Sequence, residues 1–414
     1  MNQNASTSIA PRTVEAGPWR VTLQAPVLVY RGDEREHITR PNLCRFKDAL
    51  GVIMQTTFDS QGTARDSRHI GLSHDGGSSW KIIAKDAAVG SYSIFSKSNG
   101  EVVVMPYDSL RFGPTHFTMG GPRTLLSIVD GELKLQADTT IAHMPEELMA
   151  YWDDRPTSSE PDAVAPSNKP ISCFWGTIQQ LRDGRWLCPG YASLAKEPRT
   201  SEDHPEKAMH GMAKFTAFLL TSEDEGRTWQ WLCYVATPRD VPAEASEGPD
   251  EIQFYEFPDR WRCILRVSAM RFIQPLHFCD SFDCGKTWTK PQALENVDGM
   301  MDPRGLIMAD GPTVLTTGRR GSDIYLAEGT SLEFHKVDIV AHHNACVADA
   351  PLDKITQWDL PWHWPNSGHT DVLQLGPNRL LFTYDRIPDG WRWADTEFTE
   401  PDEIYTVVLD IERK

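Results

Sequence analysis

The stretch Ser73-His74-Asp75-Gly76-Gly77-Ser78-Ser79-Trp80 has two further versions in this chain, Ser222-Glu223-Asp224-Glu225-Gly226-Arg227-Thr228-Trp229 and Ser281-Phe282-Asp283-Cys284-Gly285-Lys286-Thr287-Trp288. All three follow the pattern S-x-D-x-G-x-S/T-W. The Asp side chain can accept hydrogen bonds from the backbone N–H groups of its own turn, and the Gly supplies a positive φ. The Trp then leaves the turn and packs beneath it. Because alternating apolar residues flank each copy, the pattern predicts a hairpin turn within a repeated β unit.

The strands between these turns come in groups that share one order of elements. Each group opens with an apolar strand, then a turn that is often Asp-Gly or Asn-Gly, then a second apolar strand. Six such groups predict an all-β protein, with residues 1–414 forming one domain and residues 1–17 a flexible N-terminal tail. The last strand, Tyr405–Leu409, is expected to share a sheet with the run Val21–Tyr30, because that pairing removes exposed sheet edges.

Composition narrows the possible partners. The chain has 414 residues and a formal net charge of −17, which argues against nucleic acid and anionic membrane surfaces. No stretch reaches the length of a membrane span, and the N-terminus lacks the apolar segment of a signal peptide. We therefore expect a cytoplasmic protein, or a secreted one if a signal has been removed. The eight cysteines are spaced singly and are expected to be buried thiols; no metal and no cofactor is predicted, and the oligomeric state stays open.

The repeated pattern resembles the Asp-box, or BNR repeat, of the sialidase (neuraminidase) superfamily, whose members are six-bladed β-propellers. The resemblance extends imperfectly over most of residues 38–390. It implies that each strand group is one blade and that the three turns lie away from the active site. Because such turns also occur in lyases, other glycosidases and non-enzymatic propellers, they predict the fold rather than the activity.

The resemblance also implies a substrate carboxylate held by three arginines from different blades. Arg40, in Thr39-Arg40-Pro41-Asn42, matches the first of these arginines. Arg266 follows Glu251 by one hairpin and matches the second, and either Arg319 or Arg320 matches the third. Guanidinium groups suit this task because they bind carboxylates in a bidentate manner and keep their charge.

The catalytic position departs from the family pattern. Sialidases use a Tyr nucleophile at the opening of the final blade, where this chain has His369. Ordinary retaining sialidase chemistry depends on that Tyr. A His can instead act as a general base near neutral pH, or it can hydrogen-bond a sugar hydroxyl. Asp371 lies two residues further on, so on a strand it shares a face with His369 and can orient or charge the imidazole; the alternative is that Asp371 belongs to a neighbouring turn.

Three further groups of residues complete the predicted site. Glu251 is a candidate for proton transfer. The sialidase acid/base is an Asp in a loop of the first blade, where Asp59 and Asp66 are the candidates and Asp66 lies nearer the returning strand. Trp362 and Trp364 precede His369 and are predicted to form an aromatic wall for a sugar ring, with core packing beneath a loop as the alternative.

Together these features predict a sialidase-like exo-glycosidase that acts on the terminal acidic sugar of a glycan or glycoside. One alternative is a propeller that cleaves a uronate or a rhamnose-uronate, by hydrolysis or elimination, through His369. A second alternative is a non-catalytic glycan-binding propeller.

Overall fold

Strands make up most of the part of the chain that the structure describes. The computed structural model describes residues 10–33, 36–56, 68–89, 93–106, 110–111, 118–145, 172–193, 214–242, 244–245, 248–267, 274–318, 322–352, 368–389 and 400–414. Within these residues the helical elements are one α-helix, α1 (Ile339–Cys346), and one 3-10 turn (Pro238–Asp240).

Five sheets contain the described strands, which we number in chain order. The N-terminal strands are β1 (Arg12–Ala16), β2 (Trp19–Leu23) and β3 (Val27–Arg31). A four-stranded antiparallel sheet follows, which we call group 1: β4 (Thr39–Arg45), β5 (Leu50–Gln55), β6 (Arg68–Ser73) and β7 (Lys81–Ala87).

Groups 2 and 3 are joined in one ten-stranded sheet, because β12 and β17 pair in parallel. Group 2 contains β8 (Ile94–Ser96), β9 (Val102–Val104), β10 (Leu110–Arg111), β11 (Thr118–Val129) and β12 (Glu132–His143). Group 3 contains β13 (Ser172–Phe174), β14 (Gln179–Gln180), β15 (Trp186–Ser193), β16 (Phe215–Ser222) and β17 (Thr228–Ala236).

Groups 4 and 5 are four-stranded antiparallel sheets, and group 6 combines the two ends of the chain. Group 4 contains β18 (Asp250–Glu256), β19 (Trp261–Arg266), β20 (His277–Ser281) and β21 (Gln292–Ala293). Group 5 contains β22 (Met301–Ile307), β23 (Thr313–Gly318), β24 (Asp323–Ala327) and β25 (His335–Val337). Group 6 contains β26 (Thr370–Gly376), β27 (Arg379–Arg386) and β28 (Glu403–Arg413) together with β1, β2 and β3.

The N-terminal and C-terminal strands pair as the sequence predicts. The long strand β28 pairs with β3 along its first part and with β2 along its second part. The prediction of a flexible tail over residues 1–17 is wrong for its last part, because residues 12–16 form β1 in a hairpin with β2. Residues 1–9 lie outside the described part of the chain.

The hydrophobic core is divided among the interfaces between neighbouring groups. In β27, Leu380 and Phe382 pack toward group 5, whereas Leu381 packs toward group 1. Successive strand residues point to opposite faces, so a strand covered on both faces has a continuous apolar sequence. Similar clusters join groups 1 and 2, 2 and 3, 3 and 4, and 4 and 5.

The three repeated turns contain the hydrogen bonds that their residues predict. In the second copy, Asp224 Oδ1 accepts hydrogen bonds from Thr228 N at 2.7 Å and from Ser222 Oγ at 2.8 Å. Ser222 Oγ in turn accepts from Gly226 N at 2.8 Å. The other two copies repeat these contacts. The turn requires two consecutive residues with positive φ rather than the single Gly predicted, and Glu225 adopts φ 58.

The structure bears on two expectations from composition: that the cysteines are buried thiols and that no segment spans a membrane. The seven cysteines whose side chains the structure describes are free, and four of them, Cys44, Cys188, Cys263 and Cys279, are buried. Cys284 is exposed on the third turn, which corrects the expectation that the cysteines are buried. Among the residues described, no helix is long and apolar enough to cross a membrane.

We predict that the second turn contributes stability and not catalysis. Asp224→Ala removes two hydrogen bonds, each worth about 1 kcal/mol, so urea denaturation should show a less stable protein. Glu223→Ala, at the exposed neighbouring position, is the matched control and should leave stability unchanged. Turnover per folded molecule should stay near wild type in both variants; a large loss of turnover at unchanged stability would contradict this placement.

Candidate active site at the strand openings

The first strands of groups 1, 4 and 5 begin with the same backbone irregularity. Arg40, Glu251 and Asp302 have positive φ values of 51°, 29° and 44°. At each of these positions the register with the second strand shifts, as in a β-bulge. A non-glycine residue in this conformation costs roughly 1–3 kcal/mol, and such residues cluster at functional sites. The fold therefore holds one ionisable side chain at the same place in three groups.

His369 takes the corresponding position in group 6, directly before β26. We call Arg40, Glu251, Asp302 and His369 the opening row. Two contacts join its members across neighbouring groups: Arg40 Nε donates to His369 Nε2 at 3.0 Å, and Asp302 N donates to a Glu251 carboxylate oxygen at 2.7 Å. All four residues are buried.

The contact with Arg40 decides the protonation state of His369. Because a guanidinium group donates hydrogen bonds and does not lose its proton, Nε2 of His369 must be the acceptor. The ring is then neutral, and its proton is on Nδ1. Nδ1 faces Asp385 Oδ2 and Thr39 Oγ1, each at 3.4 Å. His369 therefore has the protonation state of a general base, with its lone pair directed at Arg40.

Asp385 anchors both sides of this contact. Its carboxylate accepts hydrogen bonds from Thr39 Oγ1 at 2.6 Å and from Arg40 N at 3.2 Å in group 1. It also accepts from Gly368 N at 2.6 Å and His369 N at 3.1 Å in its own group. Burial raises the pKa of Asp385, but the hydrogen bonds that its carboxylate accepts, among them those from the His369 and Thr39 side chains and from the His369 backbone, outweigh burial and lower it to about 2. Asp385 is therefore a carboxylate that fixes His369 and Arg40 together.

Arg266 is held by the acidic residues of its own group. Arg266 NH1 donates to Glu251 Oε1 at 3.0 Å, and its Nε lies 4.0 Å from Asp250 Oδ1. By contrast, the side chain of Arg40 donates to two neutral acceptors, His369 Nε2 and Gln55 Oε1, the latter at 3.3 Å. Among the described contacts, Arg40 therefore bonds to the catalytic candidate His369, whereas Arg266 bonds to the carboxylate of Glu251.

Asp302 has an unusual environment for a carboxyl group. Burial raises its pKa from the ordinary value of 3.8 to about 7, with Glu251 and Asp371 adding to the shift and Arg304 and Arg40 opposing it. Arg304 Nε donates to Asp302 Oδ1 at 3.1 Å, and the Arg304 guanidinium group lies 5.6 Å from the centre of the Trp175 ring. Asp302 therefore holds a proton over a wider pH range than an ordinary Asp.

The structure places four of the predicted site residues and leaves the others outside its description. It brings Arg40 into contact with His369, and Arg266 into contact with Glu251. The remaining predicted residues lie outside the described part of the chain: Asp59, Asp66, Arg319, Arg320, Trp362 and Trp364.

Sequence reasoning missed Asp302 and Asp385. Met301-Asp302-Pro303 repeats the X-Pro opening of Thr39-Arg40-Pro41, and this similarity was the available signal for Asp302. Asp385 had no local signal, because it reaches Thr39 across 346 positions of sequence. Asp371, which was predicted to orient His369, instead accepts hydrogen bonds from the backbone of Leu43 and Val372, both at 2.8 Å.

A surface groove lies at the other end of β4 and does not include the opening row. It is lined by Arg45, His74 and Arg379, among others, and borders the first repeated turn. We place the candidate site at the strand openings because the buried contacts among ionisable side chains are found there. Among the residues described, no cluster of three or more His, Cys, Asp or Glu could hold a metal ion.

Comparison with known proteins supports the fold class. No family model and no curated protein sequence matches the chain. Several solved structures resemble it. A protein of unknown function from Dyadobacter fermentans is 18% identical, with a TM-score of 0.61 over 95% of this chain and 99% of that one. An α-L-arabinanase from Penicillium chrysogenum is 12% identical, with a TM-score of 0.52 over 93% and 98%, and a sialidase from Trypanosoma rangeli is 10% identical, with a TM-score of 0.52 over 95% and 59%. The chain thus spans about three fifths of that sialidase. It shares the fold of propeller glycosidases.

We predict that the carboxylate of Asp385 stabilises the folded protein in a pH-dependent manner. Its pKa is about 2 in the folded state against an ordinary value of 3.8, so the stabilisation is present above pH 4 and is lost as pH falls toward 2. Asp385→Asn should be about 2–3 kcal/mol less stable than wild type at pH 6, and the difference should shrink on acidification.

The control for this prediction is Asp371→Asn, measured by urea denaturation over the same pH range. Burial raises the pKa of Asp371, so ionisation of its carboxyl group costs folding free energy. Relative to wild type, this variant should therefore gain stability as pH rises. A stability difference for Asp385→Asn that stays constant between pH 6 and pH 2 would contradict the assignment.

Proposed function

We propose that the chain is a sialidase-like, six-bladed β-propeller with Asp-box turns, in which groups 1 to 6 are the blades. Apolar clusters between successive groups support this count, including the cluster that packs group 6 against group 1. Strand β28 supports closure because it pairs with β2 and β3 from the other end of the chain. Closure of this kind removes exposed sheet edges.

We further propose that the chain cleaves glycosides of an acidic sugar at the opening row. One observation carries the proposal: a buried arginine, Arg40, donates to a histidine, His369, whose Nδ1 lies 3.4 Å from the buried carboxylate of Asp385. Arginine offers a carboxylate two parallel hydrogen bonds, and the Asp–His pair is the arrangement of an oriented general base. The likeness to a sialidase and an arabinanase adds support at the level of the fold.

In the proposed mechanism the substrate carboxylate binds the Arg40 guanidinium group and takes the place of His369 as its acceptor. The lone pair on His369 Nε2 then becomes available to a proton. His369 removes that proton either from a water molecule that attacks the anomeric carbon or from the carbon next to the substrate carboxylate. Asp385 stabilises the imidazolium ion that forms, because its carboxylate lies beside Nδ1.

The two proton sources distinguish the proposed function from its first alternative. Water attack is hydrolysis and gives a saturated acidic sugar, as expected for an exo-glycosidase. Removal of the C–H proton is elimination and gives an unsaturated uronate that absorbs in the near ultraviolet. His369 serves either reaction, so product analysis with sialic acid and uronic acid reporter glycosides decides between them. A folded protein that binds acidic sugars without turnover would favour the glycan-binding alternative.

We predict that His369→Ala lowers kcat by about 10²–10⁴, because a general base contributes a factor of that size. Reporter-glycoside kinetics on the active substrate measures the loss. A second variant, His369→Tyr, should be inactive if the site depends on the Asp385–His369 pair. Sialidase activity in His369→Tyr would instead mean that the rest of a Tyr-based site is intact. Full activity in His369→Ala would rule out the base role.

We predict that Arg40→Ala mainly raises KM, because loss of a buried partner of a charged group costs about 2–5 kcal/mol of binding. The matched control is Arg45→Ala, which removes an exposed arginine from the other end of β4. The control should keep the wild-type KM. An acidic substrate bound equally well by wild type and Arg40→Ala would show that Arg40 does not bind its carboxylate.

A further inference from the structure

Asp302 is a buried carboxyl group surrounded by charges from four strand groups. Its side chain is bonded to Arg304 of the same strand, and it interacts electrostatically with Glu251 of group 4, Arg40 of group 1 and Asp371 of group 6. Its positive φ of 44° precedes a proline, which favours an extended conformation for the residue before it. The fold thus holds Asp302 in a costly conformation within the opening row.

Glu251 and Asp302 are two neighbouring carboxyl groups with different partners. Glu251 accepts a hydrogen bond at each oxygen, from Arg266 NH1 at 3.0 Å and from Asp302 N at 2.7 Å. Both oxygens of the Glu251 carboxyl group therefore act as acceptors. Burial and the negative charge of Glu251 favour the protonated form of Asp302, whose pKa rises to about 7. Paired carboxyl groups with opposite preferences are typical of an acid and its neighbouring carboxylate.

Asp302 also lies next to the proposed base in the order of the groups. Gly318, which pairs with Met301 at the opening of group 5, lies against group 6. A Cβ atom at Gly318 would stand 1.9 Å from Gly368 O and 3.1 Å from His369 N, so the two openings are in direct contact. A substrate that reaches His369 therefore lies beside the opening that presents Asp302.

We propose that Asp302 is the general acid of the site and that it protonates the oxygen that leaves when the glycosidic bond breaks. This inference rests on the proposed function and adds a second catalytic residue to it. The bond between the anomeric carbon and the leaving oxygen in hydrolysis, or between the β-carbon and that oxygen in elimination, breaks with its electron pair on oxygen. That oxygen takes the proton of the Asp302 carboxyl group. His369 Nε2 takes up one proton, from water or from carbon, so Asp302 ends as a carboxylate and His369 as an imidazolium ion.

The test compares leaving groups of different basicity on the same acidic sugar. A dinitrophenyl leaving group needs no protonation, whereas a simple alcohol does. For Asp302→Asn we expect kcat to fall by about 10²–10⁴ with the alcohol and to stay within about tenfold of wild type with dinitrophenol. Wild type should also lose activity on the alcohol substrate as pH rises above 7, and this decline should be missing in Asp302→Asn.

Two variants keep the test decisive. Asp302→Glu retains an acid and should regain part of the activity on the alcohol substrate, which separates loss of the proton from misfolding. Asp280→Asn removes a buried carboxyl group that is likewise bonded to an arginine, Arg262, but lies beside the third repeated turn, and it should keep the wild-type dependence on the leaving group. Thermal unfolding of each variant establishes that the compared proteins are folded.

Three outcomes overturn the proposal, and they differ in what they leave standing. Equal losses with both leaving groups would mean that Asp302 only positions its neighbours, and the proposed function would stand. A loss confined to the alcohol substrate in Asp66→Asn, and not in Asp302→Asn, would identify the loop Asp as the proton donor. The proposed function would stand in that case too. A wild-type protein without turnover on any acidic glycoside would overturn the proposed function together with the acid role.

Discussion

The buried carboxylate of Asp385 connects the closure of the fold to the chemistry proposed for the site. It accepts hydrogen bonds from Thr39 and Arg40 at the opening of β4 and from Gly368 and His369 at the opening of β26. The openings of the first and last strand groups therefore both bond to this one carboxylate. Because burial of a charge is costly without such partners, the carboxylate holds both openings in one geometry. The position of His369 relative to Arg40 follows from that geometry.

The packing between groups makes this geometry rigid enough to hold strained residues. Arg40, Glu251 and Asp302 all have positive φ values, and each lies at the start of a strand covered by a neighbouring group. The apolar strands behind them are buried on both faces, as Val52 and Ile53 of β5 illustrate behind Arg40. Conformations that cost a few kcal/mol persist where surrounding structure determines them. The repeated turns lie at the opposite ends of their groups, so stability and the proposed chemistry depend on different residues.

Much of the fold could be predicted from local sequence. The three turns have short-range hydrogen bonds, so Ser222, Asp224 and Thr228 were sufficient to predict their form. The pairing of β28 with the N-terminal strands followed from the need to cover sheet edges. The strand β1 was missed because Arg12–Ala16 has an exposed, largely polar pattern that resembles a tail. Positive φ at Glu225 was missed because that position is not a glycine.

The candidate site was harder to predict, because its contacts join distant parts of the chain. His369, Glu251, Arg40 and Arg266 were found by resemblance to a family, which identifies positions and not contacts. That Arg266 bonds to Glu251 while Arg40 bonds to His369 depends on how neighbouring groups pack. The raised pKa of Asp302 depends on burial and on four charged residues, three of which, Glu251, Arg40 and Asp371, come from other groups. Neither property is encoded in the residues that flank these positions.

A crystal structure with a bound acidic monosaccharide, either sialic acid or a hexuronic acid, tests the central claim most directly. Our account predicts that the sugar carboxylate lies within hydrogen-bonding distance of the Arg40 guanidinium group, with the ring beside His369 and Asp302. A sugar bound with its carboxylate away from Arg40, or at the groove beside the first repeated turn, would contradict the account.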